Sequence, residues 1–306
     1  MTGAGGFIGR GLCQELAERG HAVLGATRGP AQPAAGIELR LVGDIGPHTA
    51  WSDHLAGVDI VVHLATRAHR PPNVAAGKVE VEAAAALARA AGAAQVGRFV
   101  LMSSIRAMGA ATRPEEPFRA SDPPRPVDLY GRTKFAIEGA VVAAAKRSGL
   151  DLVILRPPLV YGPGAKGNLR ALIRLVASGL PLPFAGINNL RSLIFLGNLV
   201  DLVAIACFHP AAGEQVVLAR DRADLSTPDL IRALAAGFGR PARLFAVPPA
   251  AFATLSLLPV IGAAVSILTS SLQIEDDETR RTLGWSPAVP TEAGLAATAR
   301  AYERQR

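Results

Sequence analysis

Apolar positions along this 306-residue chain fall into two textures. In the first half, short apolar runs alternate with alanine-rich helical stretches. GLCQELAERG (11–20) reads as a helix closed by Gly20, because a glycine just past the last turn takes the left-handed cap without steric cost. AVLGATR (22–28) and IELRLVGD (37–44) read as strands. VDIVVHLAT (58–66) is apolar without alternation, the pattern of a strand buried on both faces. Residues 78–95 predict a long helix, GRFVLMSS (97–104) a strand, 128–149 a second long helix and LDLVILRP (150–157) another strand. This rhythm predicts an α/β fold, a doubly wound parallel sheet with helices on both faces. Beyond about residue 160, Pro and Gly become common and the alternation loosens, although QVVLAR (215–220) still reads as a strand returning to the sheet. The expected organisation is a larger unit over 1–160 and a smaller C-terminal lobe over 161–306, interleaved near residues 190–220.

Composition narrows the setting. Half of the residues are hydrophobic, enough for a sizeable core. The formal net charge of +7 suits an anionic partner, but the basic residues are scattered and form no nucleic-acid motif, so phosphorylated small molecules fit better. Cys13 and Cys207 lie far apart, which suits a reduced, cytoplasmic protein. No charged-then-apolar leader opens the chain, and no metal site is expected. From Leu244 to Ile274 there is no charged residue. Pro248, Pro249, Pro259 and Gly262 interrupt that stretch, so a buried or lid-like helical segment is expected ahead of a helix lying on a membrane surface or a true span.

The chain opens MTGAGGFIGR, a turn of the form Gly3-x-x-Gly6-x-x-Gly9 running into a helix through Phe7 and Ile8. Glycines so spaced allow a tight turn, close backbone approach to a pyrophosphate and close helix packing, with the free helix N–H groups facing the phosphates. A glycine turn without a ligand gives the same pattern on its own. An acid ending the second strand would bind an adenosine ribose 2′-hydroxyl; here that strand ends Ala26-Thr27-Arg28. Arg28 can instead pair with a 2′-phosphate, or be a solvated loop residue. Asp44 and Ile45 follow the next strand, where a short acid can hold an adenine amino group or simply cap a turn.

Tyr130-Gly-Arg-Thr-Lys134 places a phenol and an ammonium on one helix face. A nearby cation favours phenolate and lowers the tyrosine pKa, which prepares it to exchange a proton with a hydroxyl or ketone. Ser104, 26 residues earlier at the end of a predicted strand, can hydrogen-bond the reacting oxygen; Ser103 reads as a backbone partner or core hydroxyl.

TGAGGFIG, HLA, SSI (103–105), YGRTK and RPPLVYGPG (156–164) together resemble the extended short-chain dehydrogenase/reductase family, the NAD-dependent epimerases and dehydratases, over nearly the whole chain. Within it the texture is most similar to bacterial nucleotide-sugar 4-reductases and 4-epimerases of surface-polysaccharide synthesis, including the ketoreductases that form UDP-N-acetylquinovosamine. SSIRAMG (103–109), NNLRSLIFLGNLVDL (188–202) and LGW (283–285) carry that likeness. The resemblance implies a Rossmann-like fold, with 1–160 binding NAD(P) and 161–306 forming the substrate lobe. It implies Gly3, Gly6 and Gly9 at the pyrophosphate, Arg28 at the adenosine ribose, Asp44 and Ile45 at adenine, and Leu64 and Ala65 over the cofactor's inner half. Ser104 and Tyr130 would face the substrate C4 oxygen, Lys134 the nicotinamide ribose, and Pro157 and Val160 the nicotinamide. Asn168 and Arg191 would bind the nucleoside diphosphate, with a helix N-cap as the other reading of Asn168. Relatives often form homodimers through a four-helix bundle, here helices 78–95 and 128–149.

Two positions depart from the family pattern. Relatives carry an asparagine, in a stretch like V-N-V-x-G-T, that supports the active site and a water path to the lysine; this chain has Glu80 there. Five or six apolar residues of a first strand precede the threonine in relatives, whereas here Thr2 follows Met1. The expectation is that the first strand is truncated, with an upstream start and a GTG valine codon written as Met1, and that the chain as given folds poorly and binds cofactor weakly.

A 4,6-dehydratase would have an Asp-Glu pair after the catalytic hydroxyl, but Ile105 and Arg106 follow Ser104, so dehydration ranks low. The missing ribose-binding acid leans towards NADP over NAD. It therefore favours reduction of a UDP-4-keto-6-deoxy-HexNAc, with a UDP-Glc/UDP-GlcNAc-type 4-epimerase as the alternative. A non-catalytic NADP-binding sensor or scaffold is the third reading, prompted by Glu80 and the short amino end.

Overall fold

The computed structural model describes residues 1–29, 36–66, 73–113, 115–248, 252 and 262–305. Helix α1 (Phe7–Glu18) leads into strands β1 (Val23–Thr27) and β2 (Ile37–Leu41), followed by a short α2 (Ser52–Leu55) and β3 (Ile60–His63). Then come α3 (Val74–Ala93), β4 (Arg98–Met102), a 3₁₀ turn (Ile105–Ala107), α4 (Leu129–Ser148), β5 (Asp151–Leu155), β6 (Leu159–Tyr161) and α5 (Gly167–Ala177). The second half continues with β7 (Leu193–Phe195), α6 (Leu196–Phe208), β8 (Val216–Val217), α7 (Thr227–Gly237), α8 (Gly262–Thr269), α9 (Asp277–Leu283) and α10 (Thr291–Arg304).

Strands β3, β4, β5 and β8 form a parallel sheet in that order, and β1 pairs in parallel with β2. Thr2 joins the two groups through parallel bridges to Ala26 and His63. Its N–H donates to the Val62 carbonyl at 3.0 Å, and its carbonyl accepts from Leu64 at 3.2 Å. Met1 and Thr2 thus lie between β1 and β3.

Alternate strand residues serve opposite faces. Val62, Val100, Met102, Val153 and Leu155 pack with α1 and α6, while Val61, Phe99, Leu101, Leu152 and Ile154 pack with α3 and α4. The fold is therefore a doubly wound α/β sheet. A third apolar cluster, with Tyr161, Leu169, Ile173, Leu193, Ile231 and Leu295, forms a lobe of α5, α7 and α10.

Local chemistry moves the element ends. Helix α3 starts at Val74 and not 78, because the Asn73 side chain accepts from the Ala76 N–H at 3.2 Å and caps it. It closes before 95, where Gln95 has a positive φ of 54°. QVVLAR yields a strand over Val216–Val217 alone. Among the described residues no helix is long and apolar enough to cross a membrane. In the uncharged stretch, α8 spans Gly262–Thr269; 249–251 and 253–261 lie outside the described residues.

The lobe is tied to the sheet through Asp221, which has no exposed surface. Its carboxylate accepts from the Phe195 N–H (3.1 Å), the Asn198 amide (2.7 Å) and the Tyr161 hydroxyl (2.5 Å). Asn198 in turn exchanges two 2.9 Å bonds with the backbone of Val289. Asp221→Ala would strand three buried donors at once, and a loss of about 3 kcal/mol is expected in urea unfolding. A loss within experimental scatter would show that Asp221 is not this tie.

Candidate active site

The opening turn sits at the carboxyl edge of the sheet. Gly6 N–H donates to the Gly3 carbonyl at 2.9 Å, and Gly6 leads into α1 with no side chain capping the helix. The first N–H groups of α1 are therefore not engaged by a side-chain cap. A Cβ on Gly9 would lie 2.1 Å from the Gly3 carbonyl oxygen, so only glycine allows this closure. The turn backs onto Leu64 and Ala65, and the Ala65 N–H donates to the Thr2 hydroxyl at 3.3 Å. Thr2 hydroxyl and His63 Nδ1 are 2.8 Å apart; burial and the Lys134 charge hold the His63 pKa down to about 3, so the ring is neutral. This cradle fits a dinucleotide pyrophosphate.

Arg28 follows β1 and is exposed, with the Asp44 carboxylate 3.8 Å away. An open cavity of about 350 Å³ lies beside Asp44, lined also by Val42, His48 and His54. Ile45 lies next to Asp44 and packs on the apolar cluster under α3 and α4. Thus Arg28, which the sequence places at a ribose, and Asp44, which it places at adenine, stand together.

Ser104, Tyr130 and Lys134 converge where β4 ends. Ser104 accepts from the Arg106 N–H at 3.2 Å, opening the 3₁₀ turn, and its hydroxyl lies close enough to the Tyr130 phenol to favour its ionised form. Asp128 caps α4 by accepting from the Gly131 N–H at 2.7 Å, and its other oxygen pairs with the Arg106 guanidinium. A Cβ at Gly131 would come within 2.3 Å of the Arg106 carbonyl, so the helix start and the Ser104 turn are clamped together. Lys134 is 4 % exposed and donates to the Met102 carbonyl at 3.2 Å.

The electrostatics correct one expectation. Tyr130 is held above its ordinary pKa, not below: burial dominates, and Glu80 and Asp128 add to it against Ser104 and Arg106. Lys134 is itself pulled down to about 8 by burial, opposed by Glu80 and Glu138. Its ammonium reaches a carbonyl, and the neighbouring lysine does not overcome the tyrosine's loss of water. Glu80 also accepts from the Thr66 hydroxyl at 3.3 Å.

Pro157 is buried beside this group, its carbonyl accepting from Ile105 N–H at 3.0 Å, and Val160 is central in β6. Asn168 does not cap α5; Lys166 occupies the N-cap, leaving Asn168 exposed in the first turn. Arg191 spends one guanidinium nitrogen on the Ile267 and Ser270 carbonyls, both at 2.9 Å, and feels the charge of Arg106 from the Ser104 turn. Sequence reasoning missed Arg106, Asp128, Glu138 and Arg156. Asp128 was findable as an N-cap candidate before a helix, and Glu138 as a charge four residues beyond Lys134 on the same stripe.

A model of the NAD dependent epimerase/dehydratase family matches residues 1–219. The chain is 37% identical over 310 residues to a UDP-glucose 4-epimerase of Vibrio cholerae, covering 99% of this chain and 94% of that relative. Among solved structures, MoeE5 in complex with UDP-glucuronic acid and NAD is similar with a TM-score of 0.78 and 25% identity, covering 100% and 98% of the two chains. A Bacillus cereus UDP-glucuronic acid 4-epimerase in complex with NAD shares the fold at a TM-score of 0.80 and 20% identity, covering 99% of this chain and 97% of that one.

Because Glu80 raises Tyr130, Glu80→Asn is expected to lower the pH at which Tyr130 ionises. Ultraviolet difference titration, with Tyr130→Phe subtracted, measures this; an unmoved midpoint would remove Glu80 from the site's electrostatics.

Proposed function

The chain belongs to the NAD dependent epimerase/dehydratase family, and we propose that it performs NAD(P)-dependent oxidation–reduction at C4 of a UDP-sugar, working as a reductase of a UDP-4-keto-6-deoxy-HexNAc. The observation that carries this reading is the meeting of Ser104, Tyr130 and Lys134 beside a glycine turn that fits a pyrophosphate. When bound, NAD(P) would supply or accept the hydride. Gly3, Gly6, Phe7, Ile8 and Gly9 would hold its pyrophosphate, Asp44 and Ile45 its adenine, Leu64 and Ala65 its inner half, and Pro157 and Val160 the nicotinamide.

Tyr130, protonated at neutral pH, donates its proton to the C4 oxygen while Ser104 hydrogen-bonds that same oxygen. Lys134 orients the ribose and supplies positive charge beside the phenol that has lost its proton. Arg191 takes the diphosphate, with Asn168 beside the same path. Arg28, with no acid at the end of β1, supports NADP over NAD, and Arg10, donating to the Gly5 carbonyl at 3.0 Å, adds a second cation at the turn.

A 4-epimerase is the second reading, favoured by the 37%-identical relative named a UDP-glucose 4-epimerase. NADPH consumption with a UDP-4-keto-6-deoxy-HexNAc supports reduction; interconversion of UDP-GlcNAc and UDP-GalNAc without added cofactor overturns it for epimerisation. Tyr130→Phe should cut turnover about 100-fold or more in either case, and unchanged turnover would defeat both. Arg28→Ala should weaken NADPH binding more than NADH binding; equal losses would defeat the NADP preference.

A homodimer through α3 and α4 is part of the same proposal. Val74, Val79 and Phe135 on these helices are 72%, 37% and 41% exposed. Val79→Glu with Phe135→Glu should convert a dimer to monomer in sedimentation velocity; a wild-type monomer would refute it.

A further inference from the structure

Behind the proposed reacting group lies a second buried charged pair. Glu138 and Arg156 are 3% and 5% exposed. Glu138 Oε1 accepts from Arg156 Nε at 2.9 Å and from the Ser103 hydroxyl, and Oε2 accepts from Arg156 Nη2 at 2.6 Å. Arg156 Nη1 rests 2.7 Å from Met108 Sδ. Ser103 is the residue before Ser104, Arg156 the one before Pro157, and Met108 follows the 3₁₀ turn. Tyr130, Lys134 and Glu138 stand at i, i+4 and i+8, one stripe of α4.

We propose that Glu138, held by Arg156 and Ser103, is a positioning residue that fixes the place and the positive charge of Lys134. The inference rests on the reading of Tyr130 and Lys134 as the reacting pair. A staple between helix and sheet alone does not require buried charges, since apolar residues of similar volume often serve as well or better. Charge does something apolar packing cannot: it offsets the water that Lys134 loses. Three other groups face Lys134. Glu80 does so from α3, neutral His63 from β3 and the Met102 carbonyl from β4, while Tyr130 shares its helix. Glu138 and Glu80 both favour the ammonium against burial. Removing Glu138 must therefore lower the pH at which Lys134 loses its proton, and Tyr130 loses its cation with it.

The test uses the full chain and no substrate. It has four lysines, Lys78, Lys134, Lys146 and Lys166, of which only Lys134 is buried. With lysine ¹³C-labelled at Cε, the NMR titration should show one lysine with a midpoint near 8, absent in Lys134→Met. In Glu138→Gln this midpoint should fall by about one unit. Glu138→Gln with Arg156→Met removes both charges, keeps the volume and should show a smaller fall in the same direction, which covers the case in which the single variant does not fold. An unmoved Lys134 midpoint overturns the proposal. Where a UDP-sugar is turned over, kcat should fall about tenfold near pH 8 with KM unchanged; a rise in KM alone would also overturn it. Absence of any turnover would refute the function reading and leave the titration result standing.

Discussion

The bidentate contact between Arg156 and Glu138 is the interaction on which the site's geometry depends. A parallel sheet brings strand ends to one edge, but it does not fix the rotation of the helix lying across them. The packing of α3 on α4 sets their approach, with Ala84, Ala88 and Ala91 meeting Ala144 and Ala145 in one cluster and Gly92 lying against Ser148. Small side chains allow close approach; the polar contacts hold α4 to the strand ends. The guanidinium of Arg156, just past β5, meets the carboxylate of α4 through both oxygens, and Ser103, just past β4, completes the contact. With α4 so turned, Lys134 meets the end of β4 and Tyr130 meets Ser104. Asp128 and Arg106 repeat the device ten residues earlier, at the start of the helix.

A second constraint runs between β1 and β3. The pair β1–β2 joins the rest of the sheet through Met1 and Thr2, whose hydroxyl touches both His63 and the Ala65 N–H. The Met1 ammonium adds a 2.6 Å bond to the Leu24 carbonyl, and burial lowers its pKa. Arg28 and Asp44 lie on one side of this join, and Ser104, Tyr130 and Pro157 on the other. A dinucleotide held as proposed spans it, so cofactor affinity and cohesion of the sheet are linked.

Patterns that repeat were legible in the sequence. The buried runs at β3, β4 and β5, the two long helices and the glycine turn all follow from period and steric need. So did the joint placement of Ser104, Tyr130 and Lys134, because a strand end and an i, i+4 pair are local statements. Long-range polar partners were not legible. Nothing near Glu138 announces Arg156, 18 residues on, nor does Asp221 announce Tyr161, 60 residues back. Asn168 shows the limit of local reasoning in the other direction: it resembles a cap, but Lys166 takes that place two residues sooner. The tyrosine's pKa was misjudged for the same reason, since its burial and the approach of Glu80 and Asp128 are tertiary facts.

That last point bears on how the proton is held. A tyrosine that exchanges a proton with a substrate oxygen is best served by a pKa near the working pH. Tyr130 is instead moved upward by burial, Glu80 and Asp128. Every upward unit makes the phenol harder to ionise and leaves it intact as a donor at neutral pH. Lys134 cannot be the full remedy while burial draws its own pKa to about 8. Tyr130 so held keeps its proton at neutral pH and is a weaker acid for it, so charge developing on the oxygen it faces must draw that proton out. Glu80 acts on both groups with one charge: it makes the Tyr130 phenol harder to ionise and favours the Lys134 ammonium against burial.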